Sequence, residues 1–100
     1  MATLMMQTLP EGVPIEMLDA VTKDMNVDTD PPQGMIVHVH YFEQGRARVV
    51  DVWESQADYQ RFAESRLLPA MQKVAAQNGM QLEQPPAPEF IDVHAVVRGK

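Results

Sequence analysis

"GMIVHVHYFEQGRARVVDVWES" occupies residues 34–55, and its reading decides the fold. Two runs flank Gln44-Gly45, the first rich in Val, Ile, Tyr and Phe and the second in Val with Trp53. Such residues favour strands, and a two-residue loop carrying glycine joins strands as a hairpin. The spacing predicts strands over 35–42 and 46–53. A loop at Gln44-Gly45 pairs Glu43 with Arg46, Tyr41 with Arg48, Val39 with Val50 and Val37 with Val52. His38 then lies opposite Asp51, and Ile36 opposite Trp53. A slip of one residue would scramble the valine pairs, so the pattern itself sets the register.

Downstream, Ser55 reads as a helix N-cap, with Asp58 three residues on as an Asp variant of the capping box. Tyr59, Phe62, Ala63, Leu67, Ala70 and Val74 mark the buried stripe of a long helix. Pro69 lacks a backbone donor and predicts a kink or break near Ser65–Leu68. Asn78-Gly79 is a helix stop. The stretch 80–89, with Pro85, Pro86 and Pro88, is an extended loop. FIDVHAVV, 90–97, is a last strand. Upstream, ATLMMQTL, 2–9, is a first strand. Pro14 then opens a helix marked by Ile15, Leu18, Val21 and Met25, and 26–34 is a loop. The order β-α-β-β-α-β predicts an α+β, ferredoxin-like fold: a four-stranded antiparallel sheet, order 2-3-1-4, with both helices on one face.

One hundred residues suit one domain, 1–100, and 45% apolar content suits a folded one. The net charge of −6 leaves no basic stripe for nucleic acid and no attraction to an anionic membrane surface. There is no cysteine, hence no disulfide, zinc-thiolate site or thiol nucleophile. The start, MATLMMQTLPEG, has no basic n-region, and no apolar run approaches the ~20 residues of a membrane helix. A cytoplasmic protein is expected.

Alternation divides each strand into two faces. The aliphatic set of Val37, Val39, Tyr41, Val50, Val52, Ile91 and Val93 is expected beneath the helices. The other set holds His38, His40, Phe42, Asp51, Trp53, Asp92 and His94, and so all three histidines and the lone tryptophan. That face is too apolar for solvent and too polar for a dry core. It is expected to be covered by a second copy, making a homodimer that encloses a small-molecule cavity.

The stretch 34–71 resembles the antibiotic biosynthesis monooxygenase-like superfamily of dimeric α/β barrels. "PPQGMIVHVH", the "VVDVWES" strand-to-helix junction and the "F...LLPAM" helix carry the resemblance. It implies a dimeric α/β barrel and the range of activities in that superfamily: cofactor-free quinol-type monooxygenases, haem-degrading enzymes, isomerases and proteins with no established activity. Aligned on Trp53-Glu54-Ser55, the residues of the haem branch fall on Gln72, Phe62 and Gln7. None matches, and helix 56–78 has no histidine, so no haem is expected.

His38 and Asp51 are the candidate catalytic pair. The carboxylate would hold the imidazole's tautomer while the ring removes a proton, making a phenolate or enolate that reacts with O₂ without a cofactor. His40, Trp53, Phe42, Asp92 and His94 are candidate substrate-binding residues, with Trp53 stacking on an aromatic ring. A metal held by His38, His40 and Asp51 or His94 is the less favoured reading, since His94 falls on the far edge of the sheet. No cofactor and no metal are expected. The functional expectation is a cofactor-independent monooxygenase, or related enzyme, acting on a polycyclic or quinol-like aromatic. The alternative is a non-enzymatic, ligand-binding or stress-associated dimer.

Overall fold

The computed structural model describes residues 1–79 and 87–99. The sequence expectation for the 80–89 loop falls mostly outside the described residues. Strand β1 (Thr3–Thr8) leads to helix α1 (Ile15–Met25). The hairpin follows as β2 (Met35–Glu43) and β3 (Arg46–Trp53). Helix α2 (Gln56–Phe62) runs through a π-helical turn, Ala63–Leu67, into α3 (Leu68–Gln77), and β4 (Glu89–Asp92) completes the sheet. The sheet is antiparallel in the order β2-β3-β1-β4, as expected.

The local signals act as read. Gln44 and Gly45 have φ of 53° and 76°, the left-handed pair that a tight hairpin loop needs. His38 pairs with Asp51, Val39 with Val50 and Tyr41 with Arg48. One pairing differs: the register shifts between Met35 and Val37, so Met35, not Ile36, stands opposite Trp53. A bulge inserts one residue and flips the parity upstream of it. Ser55 caps α2, accepting from the Asp58 backbone N–H at 3.2 Å. Pro69 does not break the helix. The turn before it widens, and the Leu68 N–H donates to the Ala63 carbonyl, five residues back. Strand β4 ends at Asp92, so the stretch from Val93 onward is not the strand expected to 97.

The assignment of faces is reversed. Ala47, Asp51 and Trp53 are buried beneath the helices, whereas Val37, Val39 and Ile91 are half exposed. Trp53 packs on Tyr59 (5.7 Å between ring centroids, edge-on) and Phe62 (5.1 Å), both from α2. Tyr59 also meets Phe90 of β4 at 5.5 Å. The helix supplies aromatic partners, and these demand the aromatic face of the sheet. The opposite face carries Val37 and Val39, and Leu4, Met6, Val50 and Val52 extend this apolar surface across β1 and β3. The expected dimer through the His/Trp face is therefore corrected, because that face already carries this chain's own helices.

Candidate active site

Asp51 sits in the middle of β3, between His38 of β2 and Met5 of β1. A buried carboxylate needs donors for both oxygens. Oδ1 lies 2.6 Å from His38 Nδ1, and Oδ2 accepts from Trp53 Nε1 at 3.2 Å. The carboxylate is acceptor-only, so His38 carries its proton on Nδ1 and turns Nε2 away from Asp51. His38 Nε2 is 3.4 Å from His40 Nδ1, and the two rings are tilted, with centroids 5.5 Å apart. His40 Nε2 in turn lies 2.8 Å from Asp19 Oδ1 on α1. Side-chain exposure rises along this chain, from 2% at Asp51 through 17% and 22% at the histidines to 64% at Asp19.

A cavity of about 40 Å³ opens between sheet and helices, lined by His38, His40 and Asp51 with Met5, Leu18, Val49, Leu67 and Met71. Beside it runs a groove of about 370 Å³ between α2, the π-turn and β4, lined by Tyr59, Ala63, Leu68 and Phe90 among others. Gln7, Leu67 and Met71 border both spaces. The inner space has room for no more than a few water-sized groups. The groove reaches the size of ordinary ligand sites. The widened helical turn puts Leu67 on the partition between them.

The cavity is thus on the helix side of the sheet, not on the side expected to meet a second copy. Of the expected site residues, His38, His40 and Asp51 converge there. Trp53 is fully buried under Tyr59 and Phe62, so it has no face to stack on a ligand and serves as the second donor to Asp51. Phe42, at the hairpin tip, is 53% exposed; Asp92 is exposed at the end of β4, and His94 is exposed past it. None of these three lines the cavity. Among the described residues, no group of three His, Cys, Asp or Glu is gathered to hold a metal ion. Tyr59 stays a neutral phenol, its pKa raised to about 12 by burial and then by the charge of Asp51. Asp19 escaped the sequence reading, because an acidic residue between apolar helix positions looks like any solvated one.

A small antiparallel sheet with helices on one face and a polar pair in the layer between them defines a ferredoxin-like α+β protein. Comparison of the sequence with family models and with curated proteins returns no match. Among solved structures, Rv0793 from Mycobacterium tuberculosis matches with a TM-score of 0.63 at 16% identity, covering 98% of this chain and 100% of that one. A candidate antibiotic biosynthesis monooxygenase from Chloroflexus aurantiacus matches with a TM-score of 0.62 at 12% identity, covering 99% and 98%. SnoaB, a cofactor-independent oxygenase from Streptomyces nogalater, matches with a TM-score of 0.61 at 12% identity, covering 98% of each. The chain shares its fold with these three proteins. No helix among the described residues is long and apolar enough to cross a membrane.

Proposed function

We propose that this chain is the subunit of a homodimeric, cofactor-independent oxygenase of a quinol-like aromatic, with His38 as general base and Asp51 as the carboxylate that orients it. One observation carries the reading: a part-buried Asp51–His38 contact of 2.6 Å, with the second imidazole nitrogen 3.4 Å from His40 Nδ1 and both histidines lining a cavity. Preorganised pairs of this kind remove protons. The ring of the substrate lies in the groove, and its hydroxyl reaches past Leu67 and Met71, whose flexible side chains can yield. His38 Nε2 takes the hydroxyl proton, and the electron-rich anion adds to O₂ at carbon. The peroxide recovers a proton and loses water as the C–H proton leaves, giving a carbonyl. The balance is AH₂ + O₂ → A=O + H₂O. The fold shared with SnoaB adds to this reading by analogy of architecture.

The partner is a second copy seated on the valine face. Val37, Val39 and Ile91 are 45%, 46% and 50% exposed, in one apolar patch that a monomer seldom leaves to water. Two such sheets packed face to face would close the barrel. The small inner cavity favours a second reading, a dimer that binds an aromatic ligand without turning it over. Oxygen uptake with a panel of hydroquinones separates the two. Uptake that is lost in H38Q supports the enzyme, and binding without uptake supports the carrier.

A further inference from the structure

We infer that His38 and His40 work as a single proton-accepting pair, one proton short at its centre, with Asp19 as the positioning residue that keeps the gap open. The inference rests on the proposed reading of the cavity as the ligand site. It starts from counting hydrogens. Three contacts run along the chain Asp51–His38–His40–Asp19, at 2.6, 3.4 and 2.8 Å. Each end is a carboxylate, which only accepts. The end contacts therefore require protons on His38 Nδ1 and His40 Nε2. When both rings are neutral those are their only protons. The two remaining nitrogens, His38 Nε2 and His40 Nδ1, then face each other with lone pairs and nothing between.

A ligand hydroxyl supplies the missing proton. An oxygen about 2.8 Å from each nitrogen completes a triangle over their 3.4 Å separation without moving either ring. Once the proton transfers to His38 Nε2, the imidazolium charge lies between two carboxylates, and its N–H is shared by the ligand oxyanion and His40. The charged groups facing the pair are Asp51 from β3 and Asp19 from α1. The π-turn and α3 contribute only Leu67 and Met71 to the cavity. Tyr59 of α2, near Asp51, stays neutral. The class of ligand follows: an aromatic or enolic molecule with an acidic hydroxyl, bound with that proton handed to the protein.

The placement of Asp19 gives it this role and no obvious other. It is largely exposed, so a structural contribution from its ion pair is small. Without it, His40 is free to move its proton to Nδ1 and donate to His38 Nε2. That fills the gap from within and blocks the hydroxyl.

The test is nitrogen NMR of the histidine rings in the full chain, wild type and D19A, in alkaline solution without ligand and then with hydroquinone. The wild type is expected to show His38 as the Nδ1–H tautomer and His40 as the Nε2–H tautomer. D19A is expected to move His40 to Nδ1–H and to weaken hydroquinone binding about tenfold. His40 already protonated on Nδ1 in the wild type, or unchanged in D19A, overturns the inference while leaving the proposed function standing. The expected tautomers with no binding of any hydroquinone overturn the bridging hydroxyl together with the proposed function. Asp19→Asn keeps an acceptor oxygen and is expected to restore the wild-type His40 tautomer.

Discussion

Gly34 offers the sharpest test of how the hairpin is held over α2. Its φ is +86°, and a Cβ built there would lie 2.5 Å from Asp58 Cγ and Oδ2 and 2.7 Å from Cβ. Its carbonyl accepts from the Glu54 N–H at 2.8 Å, tying the start of β2 to the end of β3. Gly34→Ala therefore incurs two costs. The left-handed backbone costs a β-carbon roughly 1–2 kcal/mol. Asp58 must also withdraw, which disturbs its bonds to Ser55 and Arg61 and the cap on α2; loss of a cap costs about 1 kcal/mol. The expected destabilisation is about 2–3 kcal/mol, read from urea unfolding. Gly12→Ala is the control, because Gly12 has φ +87° but open space around its Cβ position, and should lose only the backbone cost. Equal losses in G12A and G34A would refute the steric account. So would a G34A/D58A double variant no better than the sum of the two singles.

Asp51→Asn leaves Trp53 and His38 competing for one acceptor oxygen; it should lower stability by about 1–3 kcal/mol and abolish oxygen uptake, measured by unfolding and by an oxygen electrode. Val39→Lys on the open sheet face should leave the secondary structure intact by circular dichroism and shift the light-scattering mass to that of a monomer. The folded Tyr59 has its pKa raised to about 12, above the ordinary ~10 of the unfolded chain. The unfolded state thus releases its proton first, and stability falls as pH climbs from ~10 towards the folded value. Alkaline unfolding of Y59F should lack that part of the fall.

The hairpin register was legible because each valine pair constrains the next, and the His38–Asp51 contact follows from it. The helix caps and stops were legible because Ser55, Asn78 and Gly79 act within a few residues of themselves. Which face lies under the helices was not, since both faces carry apolar residues and alternation assigns no direction. The clue lay across the fold rather than along a strand: Tyr59 and Phe62 on α2 need an aromatic bed, and Trp53 with Phe90 provides it. The bulge at the start of β2 left no mark that parity could read. The far strand ended early at Asp92, and that moved His94 out of any shared site. Asp19 could not be found at all without the packing of α1 over β2, which brings it to His40.

The central claim is that the ligand binds between sheet and helices, at His38 and His40. Backbone and side-chain NMR shifts, followed while hydroquinone is added to the intact protein, test it most directly. The largest changes should fall on His38, His40, Val49, Leu18 and Leu67, with Val37, Val39 and Val52 of the opposite face unmoved. Changes centred on that valine face, with the histidines silent, would contradict it.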